Sequence, residues 1–145
     1  MADLARKLTI RPGQTLCLID LPAAVAAKLR QEAPPGITFV TEAEAASLLC
    51  DLIFFAPHRL DGLSARLTSL ESRITLSGAI WVVTPKKRFA ASRGITFTWE
   101  EMQAAALTTD LVDNKIASLT DEDYATRFVI RKDRRHIYED TSSVT

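Results

Sequence analysis

The chain has 145 residues, of which 47% are hydrophobic and 25% are charged, and its 18 basic side chains balance its 18 acidic ones. This composition is typical of one globular domain and excludes disorder over most of the length. A domain of this size buries roughly 70% of the surface that its unfolded chain exposes, so it needs no disulfide or metal framework. The balanced charge disfavours a general nucleic-acid binder, whose surface carries an excess of positive charge.

The N-terminus and the cysteines lead us to expect a cytoplasmic protein. Asp3, Arg6 and Lys7 interrupt the first ten residues, so no signal-peptide core develops there. No apolar run approaches the roughly 20 residues that cross a bilayer, so no membrane segment is expected. Cys17 and Cys50 stand in or beside apolar runs, which is typical of buried thiols in a reducing compartment.

Four short apolar runs, the first preceded by a polar arm, predict strands of a buried parallel sheet. Each run is continuously apolar rather than alternating, as a strand is when both of its faces are covered. The predicted strands are residues 15–20, 37–40, 51–56 and 79–84. Residues 111–119 and 124–131 leave no room for a helix between them, so we expect an antiparallel hairpin. Arg127 and Arg131 alternate with apolar residues, which predicts that one face of the last strand is exposed.

Helices are predicted between these strands. Thr41 with Glu44, and Thr98 with Glu101, have the spacing of a capping box, which predicts the start of a helix. Pro22 suits the first turn of another helix, since its missing N–H group costs nothing there. The clearest helix has one apolar stripe, formed by Leu60, Leu63, Leu67, Leu70 and Ile74. The predicted helices are residues 22–33, 42–49, 60–74 and 98–108.

Strand–helix units followed by a hairpin predict an α/β fold. We expect three layers, in which a mostly parallel sheet has helices on both faces and ends in a C-terminal antiparallel hairpin. One domain is expected over residues 1–132. Residues 133–145 are polar and lack periodicity, so we expect a mobile tail there.

The order of these elements resembles a class I methyltransferase-like Rossmann fold shortened by one strand–helix unit, for which the final hairpin is the usual mark. The segments Gly78–Lys87, Leu111–Leu119 and Arg127–Lys132 are also similar to a small family of uncharacterised bacterial proteins, a domain of unknown function. The resemblance implies the fold and no particular activity. In the methyltransferase-like fold, the cofactor is S-adenosylmethionine.

The turn after the first strand lacks the glycines with which this fold binds its cofactor. It contains Asp20 and Pro22, and the five glycines of the chain are too widely spaced to build a phosphate-binding loop. We therefore expect no cofactor, although S-adenosylmethionine, which carries no phosphate, could tolerate Asp20. The two histidines and two cysteines lack metal-ligand spacing, so no metal site is expected.

Ligands of open α/β sheets bind beyond the carboxyl ends of the strands, so the polar residues that follow the strands should gather along one rim. Glu42 stands about where this fold places a ribose-binding acid, and His58 could carry protons near neutral pH. Residues 86–93 are expected to form a basic loop that could hold a phosphate or stack on a base. The candidate binding residues are Asp20, Glu42, His58, Arg59, Lys86, Lys87 and Arg88.

The sequence leaves three functions open and assigns no catalytic residue. The favoured hypothesis is a non-catalytic binding or interaction module, because the cofactor turn has lost its glycines. The alternatives are a divergent S-adenosylmethionine-dependent methyltransferase or other small-ligand enzyme, and a phosphate or nucleic-acid binder that uses residues 86–93. No partner is identified, although a second copy or another protein could pair with the sheet edge expected at residues 124–131.

Overall fold

A computed structural model describes residues 2–133, and its elements follow the predicted order. The strands are β1 (Thr15–Ile19), β2 (Thr38–Val40), β3 (Cys50–Phe55), β4 (Ile74–Pro85), β5 (Leu111–Ser118) and β6 (Asp123–Ile130). The helices are α1 (Ala2–Lys7), α2 (Ala23–Glu32), α3 (Glu42–Ala45), α4 (Leu63–Glu71), α5 (Lys87–Ala90) and α6 (Trp99–Ala106), with a 3₁₀ turn at Ala91–Arg93. None of these helices is long and apolar enough to cross a membrane. Residues 134–145, most of the expected polar tail, lie outside the described residues.

The six strands form one sheet in the order β2-β1-β3-β4-β6-β5. The first four strands of that order pair in parallel, whereas β6 is antiparallel to both β4 and β5. The mostly parallel sheet with a C-terminal antiparallel hairpin is therefore confirmed. This order places the carboxyl ends of β1 and β3 side by side.

The prediction that the last strand forms an exposed edge of the sheet is wrong. β6 lies between β4 and β5, so β5 is the edge strand. Ala125 and Val129, which share a face of β6 with Arg127, are buried in a core that contains Trp81. An interior strand is covered on both faces, and the arginine is therefore half-buried rather than fully solvated.

Helices cover both faces of the sheet and produce the three expected layers. On one face, Leu8, which directly follows α1, and Val25 of α2 are buried in the core around Trp81. On the other face, α3, α4 and α6 cover a second core, to which Leu67 and Met102 contribute fully buried side chains. Both predicted capping boxes are confirmed, since each threonine and its glutamate exchange side-chain and backbone hydrogen bonds.

Two predicted helices are shorter than their sequence patterns indicate. The helix of the apolar stripe is α4, which begins after Leu60 and ends before Ile74. Gly62 adopts a left-handed conformation just before α4, and Ile74 pairs instead with Cys50 as the first residue of β4. Similarly, α3 stops at Ala45 and does not reach residue 49. Short helices depend on packing for stability, and the leucines at 48 and 49 are exposed.

The N-terminal arm is partly helical, which its polar sequence did not predict. The indole Nε1 of buried Trp81 donates a hydrogen bond to the Leu8 carbonyl at 3.1 Å. Leu8 is fully buried, and Ala5 and Ile10 are almost so. The arm therefore forms part of the packing that covers β4.

The α4 stripe gives a direct test of the core. Leu67→Ala is expected to lower the free energy of unfolding by about 2–5 kcal/mol, because Leu67 is fully buried and its removal leaves a cavity. Leu48→Ala is the matched control, and it should change stability by less than about 0.5 kcal/mol because this leucine is 43% exposed. Urea denaturation measures both, and equal losses would contradict the packing described.

Candidate functional site

The direction of chain crossing reverses between β1 and β3, where open α/β sheets bind their ligands. A cavity of about 340 Å³ opens at the carboxyl ends of these strands, and we call it the switch-point cavity. Its lining includes Asp20, Phe55, His58, Arg59 and Arg66. The Ala56 N–H donates to the Ile19 carbonyl at 3.2 Å, which joins the two strand ends beneath the cavity.

Three of the predicted site residues meet in this cavity. Asp20 follows β1, whereas His58 and Arg59 follow β3, so the expected gathering at the carboxyl rim holds for this part of the site. The side chains combine one carboxylate with an imidazole and a guanidinium. The cavity can therefore make hydrogen bonds to a polar ligand as a donor and as an acceptor.

Asp20 adopts a backbone conformation that is unusual for a residue with a side chain. Its φ is +55°, in the left-handed region that glycine occupies most readily. Aspartate is among the few other residues that tolerate this region, at a cost of order 1 kcal/mol. The turn after β1 thus keeps a glycine-like backbone while it adds a carboxylate and a Cβ atom.

Glu42 does not join the other site residues at the rim. β2 ends at Val40, opposite Cys17, so it stops two residues before β1 does. Both carboxylate oxygens of Glu42 are held by Arg66 of α4, at 2.5 Å from Nη1 and 2.7 Å from Nη2. A second guanidinium, from Arg73, lies 3.7 Å away. The hydrogen bonds from Arg66 hold the pKa of Glu42 below its usual range.

Arg66 is the central site residue that the sequence did not single out. Its guanidinium binds Glu42 on one side and lies over the Phe55 ring at 5.3 Å from the ring centroid. It also lines the switch-point cavity. Arg66 stands on the polar side of the α4 stripe, where an arginine is normally solvated, and no motif marked it.

The predicted basic loop is a short helix followed by a 3₁₀ turn, so the loop prediction is wrong. Lys86 Nζ donates to Ser118 Oγ at 2.9 Å, and Arg93 pairs with buried Asp123 at 2.7 Å. Arg88 lies over the Phe89 ring, 4.8 Å from its centroid. Because these cations have separate partners, they do not converge on one phosphate-sized space.

Another cavity, of about 410 Å³, lies at the carboxyl end of β4, and the predicted site residue Lys87 is part of its lining. We call it the aromatic cavity, because Phe97, Trp99 and Tyr124 line it. Thr84, the penultimate residue of β4, also lines it. No sequence motif predicted this cavity, since its aromatic residues come from α6, β6 and the segment before α6.

The two cysteines are buried and unbridged, as expected. A hydrogen bond between the thiols raises the pKa of Cys17 and lowers that of Cys50. Within residues 2–133, no three histidine, cysteine, aspartate or glutamate side chains are grouped so that they could hold a metal ion.

Several solved structures with a similar fold are methyltransferases. Magnesium protoporphyrin IX methyltransferase from Synechocystis, with bound SAH, has a TM-score of 0.61 and 10% identity over 90% of this chain and 80% of its own. The N-methyltransferase NodS from Bradyrhizobium japonicum has a TM-score of 0.55 and 12% identity over 89% and 92%. A TehB-like methyltransferase from Corynebacterium glutamicum has a TM-score of 0.52 and 14% identity over 88% and 86%.

The protein therefore has a class I methyltransferase-like Rossmann fold, and this part of the resemblance is confirmed. No family model and no curated protein matches the chain. Identities of 10–14% show a common fold and carry no activity to this chain.

The Glu42–Arg66 pair predicts a pH-dependent contribution to stability. Because Arg66 lowers the pKa of Glu42 in the folded state, the contribution is present at neutral pH and is lost as the pH falls below about 4. Glu42→Gln should therefore lower stability at pH 7 by at most about 1 kcal/mol, since the pair is partly exposed.

Chemical denaturation of wild type and variant between pH 7 and pH 3 measures this difference. Glu122→Gln serves as the control, because Glu122 is exposed and belongs to none of the ion pairs described for residues 2–133. A stability difference for Glu42→Gln that stays constant down to pH 3 would show that the ion pair is not its source.

Proposed function

We propose that this protein is a non-catalytic binding module on a methyltransferase-like scaffold. The observation that carries the proposal is the Glu42–Arg66 ion pair. The acid that follows β2, the strand position of a ribose-binding residue in this fold, has both oxygens bound to a guanidinium of the same chain. A ribose that approached Glu42 would have to displace a charge-assisted, two-point interaction.

The turn after β1 supports the same proposal. A glycine-rich turn lets a cofactor touch the backbone, but here Asp20 places a Cβ atom and a carboxylate at this point. The lining also contains Arg66, but Glu42 already pairs with that guanidinium, and Asp20 and Asp61 balance the remaining charge of the wall. The paired acid after β2 and the side chain in the turn after β1 both support a rim that does not take S-adenosylmethionine in the way usual for this fold.

The proposed ligand surface of the module is the switch-point cavity, with Asp20, His58 and Arg59 as its binding residues. Asp20 directly follows β1, whereas the exposed His58 and Arg59 lie in the segment between β3 and α4, so the ends of two neighbouring strands bring all three to one rim. Their mixed charge favours a polar ligand that both donates and accepts hydrogen bonds.

A second candidate is a divergent S-adenosylmethionine-dependent enzyme. The observation in its favour is the open cavity at the switch point, where Asp20 and His58 face a space of about 340 Å³. In this alternative, Asp20 would bind the cofactor and His58 would move a proton. The phosphate-binding alternative has less support, because Lys86 and Arg93 are already paired.

Titration with S-adenosylhomocysteine separates the first two candidates. The proposal predicts that up to about 1 mM ligand leaves the melting temperature unchanged and gives no saturable heat in calorimetry, since a ligand at a hundred times its Kd would stabilise by about 2.7 kcal/mol. The variant Arg66→Met removes both hydrogen bonds to Glu42. Weak binding of S-adenosylhomocysteine is therefore most expected in this variant.

The enzyme candidate predicts the reverse pattern. Wild type would then bind saturably, and Asp20→Ala would abolish binding while the far-ultraviolet circular dichroism stayed unchanged. That result would overturn the claim that this rim is closed to the cofactor, which is the ground for the proposed non-catalytic role. Ser77→Ala, at an exposed position in β4, is the control for a general effect of substitution.

A further inference from the structure

The aromatic cavity is built on one face of the sheet. In the β4–β6 register, Thr84 lies opposite Tyr124 and Val82 lies opposite Thr126. Alternate residues of a strand share a face, so Tyr124 and Thr126 are neighbours on the side that α6 covers. The cavity lies there, beyond the end of β4, and has no lining residue in common with the switch-point cavity.

Its aromatic wall is held in place before any ligand arrives. The Trp99 indole Nε1 donates to the Thr126 hydroxyl at 2.8 Å, which fixes the orientation of the ring. Phe97 is only 7% exposed and packs into the core beside Ile95. A wall with few remaining rotamers loses little entropy when it binds a flat ring.

A polar group stands at the base of this wall. Thr84 is 3% exposed and lines the cavity, and its Oγ1 makes no hydrogen bond of normal geometry within the protein. The Tyr124 phenol lies close enough to interact with this hydroxyl but does not form a well-aligned hydrogen bond with it, so Thr84 Oγ1 is not fully satisfied, which is uncommon for a buried polar group. Burial also raises the pKa of the nearby Tyr124 phenol, so this second hydroxyl stays protonated at neutral pH.

The charges around the cavity are balanced. Lys87 and Glu100 both line it and both are exposed, so one cation and one anion stand on the solvent side. The inner surface consists of aromatic and aliphatic side chains with the hydroxyls. This arrangement disfavours a ligand with a net charge, which would have to be desolvated without a matching partner.

We propose that the aromatic cavity binds a small neutral heteroaromatic molecule of one or two rings that carries an N–H or hydroxyl group on its edge. The ring would pack against Trp99 and Tyr124, and the polar edge would exchange a hydrogen bond with Thr84. The volume of about 410 Å³ lies in the range of small-molecule sites. The inference adds a ligand class to the proposed binding role, at a place other than the switch point.

Indole is a suitable probe, because it is neutral, has two fused rings and carries one N–H group. The chain has two tryptophans, so a nitrogen-15 correlation spectrum contains two indole N–H resonances. Trp99 lines the cavity, whereas Trp81 is buried against Leu8 on the other face. Indole is expected to shift the Trp99 resonance saturably and to leave the Trp81 resonance in place.

Two pairs of measurements test the assignment. Ala91→Phe places a ring in the cavity wall and should abolish the shift, whereas Ala104→Phe, also at an exposed alanine but outside the lining, should retain it. Thr84→Val keeps the side-chain shape and removes the hydroxyl. It should weaken indole about three- to tenfold, as the loss of one hydrogen bond does, and leave the affinity for indene unchanged because indene has no N–H group.

A Trp99 resonance that does not move at millimolar indole would overturn the proposal, and so would equal effects of the two alanine substitutions. If Thr84→Val weakens indole and indene alike, the polar contact is wrong. These outcomes do not depend on S-adenosylhomocysteine binding at the switch-point cavity, so the ligand class and the proposed function can fail separately.

Discussion

The two-point ion pair between Glu42 and Arg66 decides how the carboxyl end of this sheet can be used. It joins the start of α3, at the outer strand of the sheet, to the middle of α4, which leads from β3 to β4. β2 ends at Val40, and Glu42 follows two residues later as the first residue of α3, where Arg66 binds it. Glu42, which stands where this fold can bind a ribose, thereby makes its contacts with an arginine of the same chain instead.

The sheet order explains why two separate cavities follow from one fold. The reversal between β1 and β3 opens the switch-point cavity, whereas insertion of β6 beside β4 brings Tyr124 next to Thr84 and opens the aromatic cavity. The first cavity is polar and carries charges of both signs. The second is aromatic and enclosed by α6, so the two are suited to ligands of different chemistry.

Local patterns predicted most of the fold. The apolar runs of the strands, the capping boxes at Thr41 and Thr98 and the final hairpin all depend on neighbouring residues, and all are confirmed. The position of β6, the helix before Leu8 and the role of Arg66 depend on contacts between distant segments. Such contacts leave no periodic signal, so the sequence predicted that Asp20 and His58 share a rim but did not predict that Arg66 lines the same cavity and binds Glu42.

On our proposal, Arg66 keeps Glu42, the acid that follows β2, from binding the ribose of a cofactor. A crystal structure of the protein grown with saturating S-adenosylhomocysteine tests it most directly. We expect both Glu42–Arg66 hydrogen bonds to persist and no adenosyl density to fill the switch-point cavity. Density for the ligand beside Asp20, with the Glu42 carboxylate turned from Arg66 to a ribose, would contradict it.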